Sequence, residues 1–326
     1  MSEARVDSAE EPSSEWLDPA DAFALLGSEL RIEILRALWA GPEQPVAFSE
    51  LYRAVDVDDS AHFNYHLEKL TDHFVRRTED GYVLRRAGEK VVQAVLEGSF
   101  TQHPHRSIAI EDPCIRCGEQ LEATYEDESL SIDCPACGHG HGTYPFPPGG
   151  LNDRTDAEIL DAFDQRVRHL HCLAKDGVCP ECNGKMHTSV IRDRECCLGA
   201  SLRAEHACEQ CGHTLCATIG LGLVEHSAVV SFYSDHGIDL GKTPYWRLDW
   251  CVSDDGLAVR SEEPWRITVE IELDGEVLSV TVDEDLAVVS SERTDAPRFT
   301  DTLWYDDKSE RDGTSDRMHR SKKPAS

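Results

Sequence analysis

Long apolar runs are absent from this sequence, and their absence argues against a helix that crosses a membrane. No stretch approaches the roughly 18 consecutive apolar residues that such a helix needs. The first sixteen residues are polar and acidic and have no basic segment followed by an apolar one, so we expect no signal peptide. We expect a cytoplasmic protein with disordered tails at residues 1–16 and 307–326.

Motifs typical of several enzyme classes are also missing. The sequence has no P-loop, H-E-x-x-H, G-x-S-x-G or G-x-G-x-x-G pattern. It therefore offers no phosphate-cradling loop, no zinc-protease helix, no nucleophile elbow and no dinucleotide-binding turn. We predict that the chain is not an enzyme.

Lysine is scarce: there are 8 lysines against 24 arginines, and the 62 Asp and Glu residues give a formal net charge of −30. An acidic chain so poor in lysine resembles the proteins of extreme halophiles, whose acidic surfaces keep them soluble in molar salt. On this interpretation the charge reflects the solvent and says little about the partners. A nucleic acid therefore stays among the candidate partners.

Cysteine is absent before Cys114, but thirteen cysteines follow, and eight of them form four C-x-x-C pairs. In a cytosolic chain this pattern favours metal binding over disulfides. A Gly or Asn follows each pair and supplies a left-handed backbone position, which lets N–H groups turn toward the sulfurs. The predicted metal ligands are Cys114, Cys117, Cys134, Cys137, Cys179, Cys182, Cys208 and Cys211.

Four thiolates suit a tetrahedral zinc ion, with iron, as in rubredoxins, as the alternative. We predict two structural zinc ions per chain, in segments that resemble zinc ribbons. The first ribbon covers 108–150 together with a proline-rich linker at 142–150. A connecting helix covers 151–175, and the second ribbon covers 176–222. With four protein ligands, neither site has a position for a catalytic water.

The first hundred residues show helical periodicity and one hairpin signal. Helices are predicted over 18–40, with Phe23 on its apolar face, and over 48–55, and Asp59 or Ser60 is expected to cap a third. Asp80-Gly81 then joins two short strands, and another amphipathic helix follows. This order is typical of a winged helix-turn-helix, which we place at residues 17–100.

In the third helix, an apolar stripe that begins at Phe63 is expected to face the core, and polar residues fall outside it. Asn can bond adenine bidentately, and His and Tyr can bond base edges or phosphates. The wing is the hairpin that follows this helix, and arginines in or beside it can bind phosphates. The candidate DNA-binding residues are His62, Asn64, Tyr65 and Lys69 on the helix, and Arg76, Arg77, Arg85 and Arg86 on the wing.

The segments DAFALLGSELRIEILRALW, FSELYRAV, NYHLEKL and GYVLRRAG resemble winged-helix repressors of the arsenical-resistance (ArsR) superfamily, in the form common in haloarchaea. The resemblance covers roughly residues 18–98. It implies that Phe63 packs inward while Asn64 and Tyr65 face double-stranded DNA. It also implies a homodimer formed through the outer helices, around 18–40 and 86–98. The family's metal sensors carry cysteines in this domain, and this chain has none there.

The predicted fold class is α+β: a winged helix-turn-helix, two zinc-ribbon-like four-cysteine modules joined by a helix, and a C-terminal antiparallel β-meander with one helix. In the last region, 223–306, the alternation of YWRLDWCV predicts a strand of this meander. The region is interpreted as a dimerisation or effector region. The expected function is a sequence-specific DNA-binding transcription regulator. A basal archaeal initiation factor, which acts through polymerase contacts, is the alternative. A metal or redox sensor based on Cys196-Cys197 is a third, weaker interpretation.

Overall fold

The structure, a computed structural model, describes residues 17–41, 43–192 and 200–295. The expected tails at 1–16 and 307–326, and the sensor interpretation of Cys196-Cys197, fall outside these residues. Within the described ranges, helices alternate with antiparallel sheets of two, four, three and four strands. The coarse α+β prediction is therefore confirmed.

The amino-terminal part contains five helices and one hairpin. Its elements are α1 (Pro19–Leu26), α2 (Glu29–Ala40), α3 (Phe48–Ala54), α4 (Ser60–Leu70), β1 (Val75–Arg77), β2 (Tyr82–Leu84) and α5 (Arg86–Glu97).

The prediction of one continuous helix over 18–40 is wrong, because the chain breaks between α1 and α2. Gly27 ends α1, and Ser28 has an extended backbone before α2 begins. Glycine is a poor helix former and serine favours positions just before a helix, so this pair interrupts the periodic pattern. As a result Phe23, expected on the apolar face, is 75% exposed.

Helix α4 and the hairpin agree with the sequence. The Asp59 carboxylate accepts hydrogen bonds from the backbone N–H groups of Ala61 and His62, so it caps α4. The stripe of Phe63, Leu67 and Leu70 is buried. Gly81 has φ +152°, and a Cβ there would lie 2.3 Å from the carbonyl oxygen of Val46. Glycine thus permits the close approach that pairs the hairpin with the loop before α3.

The first four-stranded sheet follows the order β3 (Arg106–Pro113), β4 (Gln120–Glu126), β5 (Ser129–Asp133) and β6 (Gly140–Pro145). The predicted linker at 142–150 is wrong, because its first residues form β6 and Phe146 is buried. Strand β6 lies at the sheet edge and pairs only with β5, so Pro145 can end it without removing a hydrogen bond of the ladder.

The long helix α6 (Asp156–Lys175) lies between the two four-cysteine segments and begins with a capping box. The Thr155 hydroxyl accepts from the N–H of Glu158, and the Glu158 carboxylate accepts from the N–H of Thr155. The three-stranded sheet follows, with β7 (Met186–Arg192), β8 (Leu202–Cys208) and β9 (Thr214–Thr218).

The carboxy-terminal region consists of α7 (Ser227–Asp235), α8 (Asp249–Val252) and a four-stranded meander. The predicted strand over YWRLDWCV is wrong: Tyr245–Arg247 form a 3-10 turn, and α8 follows. Trp246 and Trp250 are buried there, and their indole N–H groups donate to Asp112 and to Tyr233 at 2.8 Å each. These tertiary bonds outweigh the strand propensity of the aromatic residues. The meander itself is confirmed: β10 (Leu257–Glu262), β11 (Trp265–Leu273), β12 (Glu276–Val282) and β13 (Val288–Asp295).

Buried apolar residues form two separate clusters in the described part of the chain. One extends from Ile34 to Val92 and belongs to the amino-terminal part. The other extends from Ile108 to Leu286 and joins both four-cysteine segments, helix α6 and the meander into one core. No helix in the described ranges has the length and apolar content to cross a membrane.

Candidate metal centres and nucleic-acid interface

The first four-cysteine cluster lies where two hairpins of the first sheet turn. Cys114 and Cys117 connect β3 to β4, and Cys134 and Cys137 connect β5 to β6. The Sγ atoms of Cys114 and Cys137 are 3.8 Å apart, and those of Cys117 and Cys134 are 3.4 Å apart. All four sulfurs lie within 4.8 Å of one another, so the structure brings the predicted ligands together.

The second cluster has the same construction. Cys179 and Cys182 precede β7, Cys208 ends β8, and Cys211 precedes β9. The Sγ distances are 3.7 Å for Cys179 and Cys211 and 3.6 Å for Cys182 and Cys208. Sulfurs at about 2.3 Å from a tetrahedral ion are about 3.8 Å apart. Both clusters therefore have the geometry to hold a metal ion.

The local backbone explains why each pair turns its thiols to one side. The residues after the pairs all have left-handed φ, from +60° at Asn183 to +78° at Gly118, as predicted. The backbone N–H of Arg116 donates to Sγ of Cys114 at 3.4 Å, and that of Gly184 donates to Sγ of Cys182 at 3.3 Å. Such N–H groups stabilise a thiolate, which is the form that binds metal.

One thiol in each cluster ionises more easily than an ordinary cysteine. Burial raises the pKa of Cys134, but hydrogen bonds from the Cys137 N–H and the Cys117 thiol outweigh burial, and the pKa falls to about 7. The N–H of Cys211 lowers the pKa of Cys208 to about 7, although burial opposes it. Each cluster therefore has a thiolate available near neutral pH for a first metal–sulfur bond.

The predicted DNA-binding residues of α4 lie on its solvent side. Tyr65 is 55% exposed, and the Nζ of Lys69 lies 5.7 Å from its ring centroid. The side-chain N–H₂ of Asn64 donates to the Glu68 carboxylate at 3.0 Å. The spacing of four residues on a helix permits this bond, but the residue types alone did not predict it. His62 is exposed at the start of the same helix.

The four predicted wing arginines are exposed and differ in their neighbours. Arg77 lies over the Tyr82 ring, with its guanidinium carbon 5.9 Å from the centroid, and Arg76 is beside it on β1. Arg85 donates to the carbonyl oxygen of Asp72, and Arg86 pairs with Glu89 at 2.6 Å. A cleft of about 290 Å³ separates α4 from the hairpin and is lined by both Asn64 and Arg77.

The two histidines near the end of α6 differ in burial. His169 is exposed, and His171 is 1% exposed. Burial, and then the neighbouring His206, lowers the pKa of His171 to about 3. The ring packs edge-on against Tyr144 at 5.2 Å. His171 is therefore neutral in the folded chain at pH values where an unfolded histidine is charged.

We expect this histidine to make stability depend on pH. Below pH 6.5 the unfolded chain gains a proton at this position that the folded chain does not bind until about pH 3, so stability falls as the pH falls through this range. At pH 5 the loss from this residue is about 2 kcal/mol relative to pH 7.5. In urea titrations, His171→Phe should reduce the drop between these two pH values by that amount. His169→Gln should not change it, and equal drops in all three proteins would contradict the assignment.

Comparison with known proteins yields two family matches. The family described as "Domain of unknown function (DUF7351)" matches residues 111–288, which include both four-cysteine clusters and most of the meander. The family described as "Domain of unknown function (DUF7347)" matches residues 19–95. No curated protein and no solved structure matches the chain.

Proposed function

We propose a function from the residues of this chain, which belongs to the family described as "Domain of unknown function (DUF7351)". The proposal is a sequence-specific DNA-binding transcription regulator whose amino-terminal part is a winged helix-turn-helix that resembles the ArsR superfamily. The observation that carries it is α4: one face is buried through Phe63, Leu67 and Leu70, and the opposite face presents polar side chains beside an arginine-bearing hairpin.

The dimensions and order of these elements support DNA binding. A major groove about 12 Å wide admits one α-helix, and a wing beside it can reach the sugar-phosphate backbone. In this arrangement Asn64 and Tyr65, together with His62 and Lys69, would meet base edges. The arginines at positions 76, 77, 85 and 86 would bind phosphates, because phosphate contacts fix the register without reading the sequence.

The bond between Asn64 and Glu68 orients a side chain that is proposed to read bases. A bidentate contact with adenine needs the Asn N–H₂ group to donate and the Asn oxygen to accept. In the free chain one N–H of that group donates to Glu68. The amide has a second N–H, so the bond to Glu68 can remain while the other N–H and the oxygen meet a base. The bond therefore restricts the side chain before DNA binds.

We expect Asn64→Ala to separate specific from non-specific binding. The substitution removes a bidentate base contact, so it should weaken binding to the operator by about 1–3 kcal/mol and leave binding to random DNA nearly unchanged. Arg76→Ala is the contrasting variant and should weaken both alike, because phosphates carry no sequence. Titration of both DNAs measures the two effects. An equal loss on both DNAs for Asn64→Ala would refute the base-reading assignment.

The four-cysteine clusters are proposed to hold structural zinc. Four thiolates in a tetrahedron suit this ion. With four protein ligands, the ion has no open coordination position. Metal analysis of the purified chain should give close to two zinc ions per chain, with no absorption band from an iron–sulfur centre. A ratio near one, with Cys179→Ser leaving the metal content unchanged, would show that the second cluster is not a site.

A homodimer is proposed from the apolar surface of the outer helices. Trp39 is 40% exposed and Leu96 48% exposed, and both line a cleft of about 420 Å³ between α2 and α5. Phe23 and Phe100 are also exposed, at 75% and 73%. Two large exposed apolar side chains beside one cleft, as with Trp39 and Leu96, are a feature of interfaces.

The experiment that tests the function is genome-wide DNA occupancy followed by footprinting with the purified chain. A regulator should protect one operator sequence without polymerase present. The initiation-factor alternative predicts protection only when polymerase is added. A chain that protects no DNA under either condition would refute the proposal.

A further inference from the structure

Two histidines on α4 face each other one helical turn apart. The Nε2 atoms of His62 and His66 are 3.0 Å apart, and the ring planes meet at 87° with centroids 4.6 Å apart. A separation of four residues places two side chains on the same face of a helix. The Ser28 hydroxyl lies 3.5 Å from Nδ1 of His66, on the far side of that ring. This contact orients His66 with Nε2 toward its neighbour.

The facing nitrogens can share one proton or bind one metal ion. A neutral imidazole carries its proton on one nitrogen only, so a hydrogen bond between the two Nε2 atoms uses a single proton. When the donating ring changes tautomer and carries its hydrogen on Nδ1 instead, both Nε2 atoms have a free lone pair for a metal ion. Imidazole nitrogens bind metal ions at about 2.0–2.1 Å, so nitrogens 3.0 Å apart subtend about 95° at the ion.

This angle discriminates among metal ions. A tetrahedral ion such as zinc would need nitrogens about 3.3 Å apart, whereas octahedral and square-planar ions accept neighbouring ligands near a right angle. Ni²⁺ and Cu²⁺ prefer nitrogen ligands in such geometries. The pair therefore differs from the four-cysteine clusters both in its ligand atoms and in the ion that suits it.

The surroundings of His66 disfavour its protonation. Burial, then His62, then Arg31 lowers the pKa of His66, so this ring is uncharged at neutral pH. The Arg31 guanidinium donates to the carbonyl oxygens of Leu25 at 2.6 Å and Ala24 at 3.4 Å. These bonds hold the cation against the end of α1 instead of between the two rings.

We propose that His62 and His66 chelate a divalent transition-metal ion of the Ni²⁺ or Cu²⁺ class, with water at its other coordination positions. Tyr65 shares this face of α4, and its ring lies 5.2 Å from that of His66. A consequence rests on the proposed function: the bound ion would place a dication on the face that meets DNA, in a domain with 9 basic and 15 acidic residues over 17–100. The site itself does not depend on that function.

The test is a calorimetric titration of the full chain, with zinc already bound at the four-cysteine clusters and with Ni²⁺ as the probe. The wild type and the control His73→Gln, an exposed histidine just beyond α4, should show the same binding event. His62→Gln should lower the affinity for Ni²⁺ by at least about tenfold. The variant loses the chelate effect, in which binding to one imidazole holds the ion close to the second. Superimposable isotherms for the wild type and His62→Gln would overturn the proposal.

A second measurement tests the geometry without a variant. Paramagnetic Ni²⁺ should broaden the imidazole nitrogen signals of His62 and His66 together, before it affects that of His73. Broadening of one ring without the other would also overturn the chelate. No DNA is present in either experiment, so failure here leaves the proposed DNA function untouched. Failure of DNA binding likewise leaves the metal site untouched.

Discussion

Replacement of Cys134 by serine is expected to unfold the carboxy-terminal two thirds of the molecule and spare the amino-terminal part. Structural zinc contributes an apparent free energy of about 10–16 kcal/mol to the folding of small zinc domains, which is comparable to the whole stability of an ordinary domain. Cys134 lies in the core that runs from Ile108 to Leu286, so the loss reaches beyond its own sheet. The cluster from Ile34 to Val92 contains no cysteine and should remain folded.

Limited proteolysis with metal analysis measures this result. The variant should retain less than one zinc ion per chain, and proteolysis should leave a protected fragment close to residues 17–100. Cys172→Ser is the matched control, since Cys172 is half-buried on α6 and belongs to neither four-cysteine cluster. A Cys134→Ser chain that resists protease along its whole length would show that the first centre does not support the shared core.

Operator affinity is expected to hold steady or rise between about 0.5 and 2 M KCl, opposite to the usual dependence on salt. Residues 17–100 carry 9 basic and 15 acidic side chains, a net charge of −6, so this domain repels DNA at long range. At about 1 M salt the Debye length is only about 3 Å, and that repulsion fades beyond contact distance. Acidic side chains near the interface could also trap cations between protein and DNA, so that binding takes up ions.

The size of the effect makes it measurable. If four wing arginines bound phosphates by counterion release alone, a fourfold rise in salt would weaken binding by about a hundredfold. Glu79 lines the cleft between α4 and the hairpin beside Arg77, so Glu79→Gln removes one candidate for ion uptake. Its salt slope should be more negative than that of the wild type. A steep wild-type loss of affinity with salt would show an ordinary phosphate-driven binder and refute the hypothesis.

Local signals in the sequence were sufficient for several elements. Each C-x-x-C pair followed by Gly or Asn specifies its own turn, because the left-handed residue and the N–H bonds lie within a few positions. Asp59 caps α4, and Asp274-Gly275 joins two meander strands with φ +50° and +83°, for the same local reason. The eight cysteines of the candidate metal sites could therefore be named in advance, and the structure brings all of them together in two clusters.

Other predictions failed where long-range packing outweighed a local pattern. YWRLDWCV alternates like a strand, yet its tryptophans are held by Asp112 and Tyr233, which lie far away in the chain. The residues after Gly142 resemble a linker, yet they extend the sheet and bury Phe146. Periodicity reports only which side chains prefer burial, and it does not indicate which surface covers them.

By itself, the sequence determined the ligand pairs, the polar and apolar faces of α4 and the mixed class of the fold, since each depends on residues that are close along the chain. Only the tertiary structure decided that the four-cysteine segments, α6 and the meander share one core. It also decided that His171 is buried beside Tyr144 and His206 while His169 is exposed. Both outcomes depend on contacts between residues far apart in the sequence. Their free energy comes from apolar surface that no single segment can bury alone.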